Sequence, residues 1–270
     1  MSLEALLRRD RWLSLAALAV VLALAWGWLL AGAGMHLPLA GPADAGAMPG
    51  MDGMKDMDEM AGMHGMAAPA WGWRYALLMF AMWWSMMLAM MLPSAAPVIL
   101  LVAALNRRMR PQRPPYGAAA GFAAGYLLAW GAFSLLATAA QWWLGSLQLL
   151  DPLLRSQQAV LSGGLLLVAG AWQLAPLKSA CLRHCRSPLE LLTRQRRRGS
   201  LWLGMAHGSY CLGCCWLLMA LLFVGGLMNL YWIVGLSLWV LVEKLLPAGP
   251  WLGRLGGVAL LLWGATLLAG

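Results

Sequence analysis

The sequence predicts an all-α protein: a polytopic bundle of about seven membrane-spanning helices with the N-terminus inside. Three observations carry this. Hydrophobic residues make up 62% of the 270-residue chain and charged residues 11%, whereas a soluble domain of this size is about a quarter charged. The apolar residues gather in blocks of about 18 or more, long enough to cross a hydrocarbon core as helices, which satisfy their own backbone groups in lipid. Lys and Arg collect in alternate connections, as they do in cytoplasmic loops. The formal charge of +9 follows from those loops and implies no nucleic-acid partner.

Three regions follow in order. Residues 1–33 form an N-terminal membrane helix or signal anchor, with Arg8, Arg9 and Arg11 ahead of an apolar run from Trp12 to Ala31. That run, about 19 residues long, exceeds the h-region of a cleaved signal peptide, roughly 7–15 residues, so an uncleaved helix is expected. Residues 34–70 read as a Met-rich extracytoplasmic linker, and residues 71–270 as a six-helix membrane domain.

In the linker Met recurs every third residue, at Met48, Met51, Met54, Met57, Met60, Met63 and Met66. His36 and His64 lie in the same region, and Asp52, Asp56, Asp58 and Glu59 are interleaved. Thioethers are soft donors that select Cu(I), while His and Asp tolerate Cu(II). Gly50, Gly53, Gly62 and Gly65 disfavour a helical core stripe, which leaves metal capture or compositional drift.

The second helix, Trp73 to about Leu105, carries Met79, Met82, Met86 and Met90 on one helical face, with Met87 and Met91 beside them. Met also fills cores, so this face reads as packing or as a path for metal. Pro93 and Pro97 predict a bend or interruption. The third helix, about 117–144, begins with Gly117, Gly121 and Gly125, a spacing that allows close helix packing. The fourth covers about 160–174. Residues 177–200 read as a basic cytoplasmic loop containing Cys181, His184 and Cys185. The fifth helix, about 201–226, ends in a tight Gly225-Gly226 turn; the sixth covers about 230–246 and the seventh begins at Trp251. With this layout all Lys and Arg except Lys55, Arg74 and Arg155 fall inside.

The fifth helix holds the densest chemistry. His207, Cys211, Cys214 and Cys215 follow i, i+4, i+7, i+8 and so share one side, with Cys211 roughly 15 Å into the bilayer by helical rise. Ionisable groups at that depth are functional candidates. Sulfur donors with an imidazole suit Cu(I), and Zn(II) less well; the alternative is that Cys fills space as a small hydrophobe. Cys181, His184 and Cys185 read as a second binding point or exit site, or as an exposed basic loop. Glu243 reads as an acid paired with Lys244 or Arg254 or drawn to the interface, in preference to a proton or metal group.

The segments PLKSACLRHCRSP and GMAHGSYCLGCCWLLMALLFVGGLMNLYW, the VEK at 242–244 and the MWWSMMLAMMLPSAAP helix together resemble the domain of unknown function 2182. The resemblance covers roughly residues 75–250. It implies a multi-pass, metal-binding protein of the bacterial inner (plasma) membrane, with no settled reaction. Met86-x-x-x-Met90 is also similar to the Met motif of eukaryotic copper transporters, at motif level alone.

The function expected is copper(I) handling through the Met-rich and Cys/His sites: capture, transfer or passive transport. The partners expected are the lipid bilayer, the metal ion, and a copper chaperone or membrane metalloenzyme. A glycine-rich nucleotide loop ending in GK[ST] is not found in the sequence, so movement would be passive or coupled to another protein, and enzymatic activity is not expected. Two other readings remain: a membrane thiol oxidoreductase cycling Cys211/Cys214 and Cys181/Cys185, and a non-catalytic assembly factor.

Overall fold

The structure is a computed structural model that describes residues 3–31, 71–109, 116–150, 156, 158–187, 199–227 and 229–269. The Met48–Met66 series and His64 lie outside the described residues. The rest is helical, as expected: α1 (Leu3–Leu30), α2 (Trp73–Met109), α3 (Tyr116–Ser146), α4 (Ala159–Leu174), α5 (Pro176–Arg186), α6 (Ser200–Ala220), the single turn α7 (Leu222–Gly225), α8 (Leu230–Leu245) and α9 (Gly249–Ala269).

Among the described residues five helical stretches are long and apolar enough to cross a membrane: Arg11–Leu30, Trp73–Met109, Tyr116–Ser146, Ser200–Gly225 and Gly249–Ala269. The sequence reading counted seven. The difference lies in α4 and α8, each 16 residues. At about 1.5 Å per residue each is some 24 Å long, short of a hydrocarbon core of about 30 Å. α4 and α5 form a pair bent by 64° that counts as a sixth span if taken together. The bend has a local cause. Pro176 opens α5 and Ala175 before it is extended, at φ −66° and ψ 139°, as the residue ahead of a proline prefers.

α5 is itself a departure from the expected basic loop. It places Cys181, His184 and Cys185 on a helix packed against α6. Of the bend or interruption expected at Pro93 and Pro97, the interruption does not occur: α2 is one continuous helix through both. Near Pro93 neighbouring hydroxyls serve its carbonyls. Ser94 Oγ and Tyr126 Oη donate to the Met91 oxygen at 2.8 and 3.3 Å, and Ser237 Oγ donates to that of Met90 at 3.4 Å.

α2 is the central element, packed on α1, α3 and α8, and its Met79, Met82, Met86, Met87, Met90 and Met91 are all buried. α3 lies tightly along α6 because both carry glycine at the crossing. A Cβ at Gly125 would overlap the Leu201 carbonyl, and one at Gly204 the Phe122 carbonyl. Gly121 packs against Ser200 in the same way, whereas Gly117 faces open space, so two of the three glycines predicted to aid packing do so. α4 and α9 pair through Gly163, Gly170, Gly257 and Gly264, small residues that let backbones approach where lipid offers no hydrophobic drive. The turn after α7 forms at Gly226, whose φ of 90° favours glycine, and Asn229 caps α8 by accepting from the Trp232 N–H.

Candidate metal centre

The inward face of α6 is the one that its spacing predicts. His207, Cys211, Cys214 and Cys215 are all buried, turned toward α2, α3, α5 and α8. Cys211 is the hub. Its sulfur lies 3.0 Å from Tyr126 Oη of α3 and accepts from Lys244 Nζ of α8 at 2.8 Å. Cys214 and Cys215 bond back to the Cys211 carbonyl oxygen, at 3.0 and 2.9 Å. Cys214 Sγ also stands 4.0 Å from Cys185 Sγ of α5, and Cys215 Sγ 3.8 Å from Met91 Sδ of α2. Donors from three helices therefore reach one another's neighbourhood. All five cysteines are free thiols.

His207 lies against the rings of Phe122 and Tyr126, with centroids 5.6 and 5.9 Å away. Its Nδ1 is buried without a hydrogen-bond partner, an arrangement that costs free energy unless the nitrogen has a use. A cavity of about 350 Å³ runs past this cluster and is lined by Ser94, Cys185, Arg186, His207, Cys211 and Lys244, among others. The donor set is two kinds of soft sulfur with an unserved imidazole nitrogen, which fits a soft monovalent cargo such as Cu(I).

The donors are not gathered round one point. Among the described residues, no three of the His, Cys, Asp and Glu side chains stand in an arrangement that could hold a metal ion. The soft groups meet in pairs, and an ammonium lies against Cys211. Side chains on one helix face project from points about 5–6 Å apart, so a common side does not by itself make a common centre.

The other predicted residues are placed as follows. Cys181 is half buried and packs on Gly213, where an added Cβ would come within 2.9 Å of its sulfur. His184 faces outward and stacks on Tyr210 at 4.6 Å. Met82, Met86 and Met90 are buried in the core around α2, but the methionine that reaches the cysteines is Met91, one position beyond the face singled out from the sequence. Lys244 and Tyr126 were missed. Glu243 is corrected: its partner is Lys178 of α5, in a buried ion pair. Neighbours on a helix point about 100° apart and do not face each other, a signal that argues against Glu243–Lys244 pairing from the sequence alone.

A family model described as PpoB2, copper chaperone, matches residues 80–267. The chain belongs to the PpoB2 copper chaperone family. The match covers every residue of the cluster, from Met91 on α2 to Lys244 on α8, and agrees with the copper expected from the sulfur and imidazole donors; its description is that of PpoB2. No curated protein and no solved structure matches the chain. The family description makes copper handling the chemistry to explain.

Proposed function

We propose that this PpoB2 family member is an integral membrane protein that holds Cu(I) in transit, at a centre built from Cys211, Cys214, Cys215, Cys185, Met91 and His207. The observation that carries the proposal is that Cys185, Cys211 and His207, with its unpartnered Nδ1, line one cavity, while Cys214 touches Cys185 and Cys215 touches the Met91 thioether beside them. Closing on copper requires Cys214 and Cys215 to rotate away from the Cys211 carbonyl. Thiols are weak donors, so that rotation is cheap.

A membrane location is supported by the outward faces, where Leu24, Leu136, Val160 and Leu262 are each about two-thirds or more exposed, more apolar surface than water tolerates. The proposed topology keeps the N-terminus inside, with α4 and α5 together acting as one bent crossing and α8 as a short one. The Met48–Met66 segment with His64 then lies outside and collects Cu(I); the Met82, Met86 and Met90 side of α2 leads inward; Cys181 and His184, beside Cys185, form the hand-over point to an acceptor chaperone or membrane metalloenzyme. Arg186 and Ser187 line the cavity, and in sequence they lead into residues 188–198, which hold the densest basic run.

A second reading, thiol oxidoreduction, draws on the Cys185–Cys214 approach of 4.0 Å. That is a cross-helix pair and neither of the two pairs suggested by sequence spacing.

An anaerobic Cu(I) titration of the detergent-purified protein separates these. The copper account expects stoichiometric Cu(I) with all thiols reduced, and at least about a tenfold loss of affinity in Met91→Leu, which keeps the volume and removes the thioether. A Cys185–Cys214 disulfide that forms and turns over without metal would favour the redox reading, and tighter binding of Zn(II) than of Cu(I) would contradict copper.

A further inference from the structure

We infer that Lys244 is the resident cation of the empty centre, and that Cu(I) loads by displacing its ammonium from Cys211. This deepens the copper reading and rests on it.

Lys244 is buried in the last turn of α8. Its Nζ donates to Cys211 Sγ at 2.8 Å and to Ser94 Oγ at 3.3 Å, and it approaches Met91 Sδ at 3.8 Å. These are a thiol, a hydroxyl and a thioether: the surroundings of a bound cation, with two of the three groups soft. Glu243, the acid beside it in sequence, is committed to Lys178. A buried ammonium without its own carboxylate is expensive to keep, and here the compensation comes from the atoms assigned to copper.

Cu(I) and the ammonium carry the same charge. Two cations within bonding distance of one sulfur in a low-dielectric interior repel strongly, so both cannot use Cys211 together. The cavity that Lys244 lines gives its four-carbon stem, flexible by nature, a place to swing. In the exchange the Nζ–H···Sγ hydrogen bond breaks, the Cys211 thiol releases its proton to solvent and a Cu–Sγ bond forms. The ammonium keeps its own protons, copper stays Cu(I), and no electron is transferred. The physiological sense is reversibility, because a cation already in place weakens the grip on cargo and speeds release.

The sign of one measurement decides. In anaerobic competition with a chromophoric Cu(I) chelator, full-length Lys244→Leu, which adds no copper ligand, should bind Cu(I) about tenfold more tightly than wild type, from loss of one charge-assisted hydrogen bond in the copper-free state, and should give it up more slowly. Lys244→Gln should shift the same way. A lysine that merely supports the fold would loosen the site when removed, so equal or weaker binding in these variants overturns the inference. The wild-type chain supplies a second readout. It has three lysines, Lys55, Lys178 and Lys244, and Cu(I) should raise amine acylation of Lys244 several-fold while Lys178, held by Glu243, stays unchanged. Unchanged labelling of Lys244 in copper-loaded protein also overturns it. If wild type binds no Cu(I) at all, the copper reading fails with it; if wild type binds and the variants match it, the displacement alone fails.

Discussion

Replacing Cys211, Cys214 and Cys215 together with serine is expected to lower Cu(I) affinity by at least about 100-fold, beyond what loss of a supporting group costs. The fold should persist. Cys214 and Cys215 already bond back to the carbonyl of residue 211, and serine makes the same i−3/i−4 bond within a helix. The predicted outcome is therefore a protein that elutes and unfolds like wild type but carries little copper after chelator washing. Equal copper retention in mutant and wild type would remove the centre and leave the cysteines as small core residues.

The second large effect concerns the scaffold. Lys178 and Glu243 tie α5 to the end of α8 as a buried ion pair, with both side chains almost fully enclosed. Lys178→Met should destabilise the protein by about 3–5 kcal/mol, because it strands a buried carboxylate. The double change Lys178→Met/Glu243→Leu should recover most of that loss, since replacing both partners by apolar groups is often nearly neutral. Chemical unfolding in mixed micelles would read both. A single mutant within about 1 kcal/mol of wild type would show that the pair does not hold the two helices together.

The sequence made some of this legible and hid the rest for definable reasons. Apolar blocks and glycine spacing locate α2, α3, α6 and α9, because length and small-residue periodicity are local properties. The inward direction of His207 and the three α6 cysteines is local too, and the structure buries all four. What spacing along one helix does not encode is which other helices meet that face. Met91, Tyr126, Lys244 and Cys185 come from four different elements. The methionine face of α2 shows the same limit: α2 packs on α1, α3 and α8, and all six methionines from Met79 to Met91 are buried, so burial does not single out Met91 as the one that meets the cysteines. α5 was hidden by its charge. Its Lys and Arg residues resemble a solvated loop, yet Lys178 turns inward to Glu243 while Arg183 faces out. The proline that starts α5 was the available signal.

The most direct test is the X-ray absorption spectrum at the copper edge of the Cu(I)-loaded protein in detergent. The account predicts a monovalent edge and a first shell dominated by sulfur, with sulfur scattering lost in the Cys211/Cys214/Cys215→Ser protein. A first shell of nitrogen and oxygen alone, or a spectrum that the three serines leave unchanged, would contradict it.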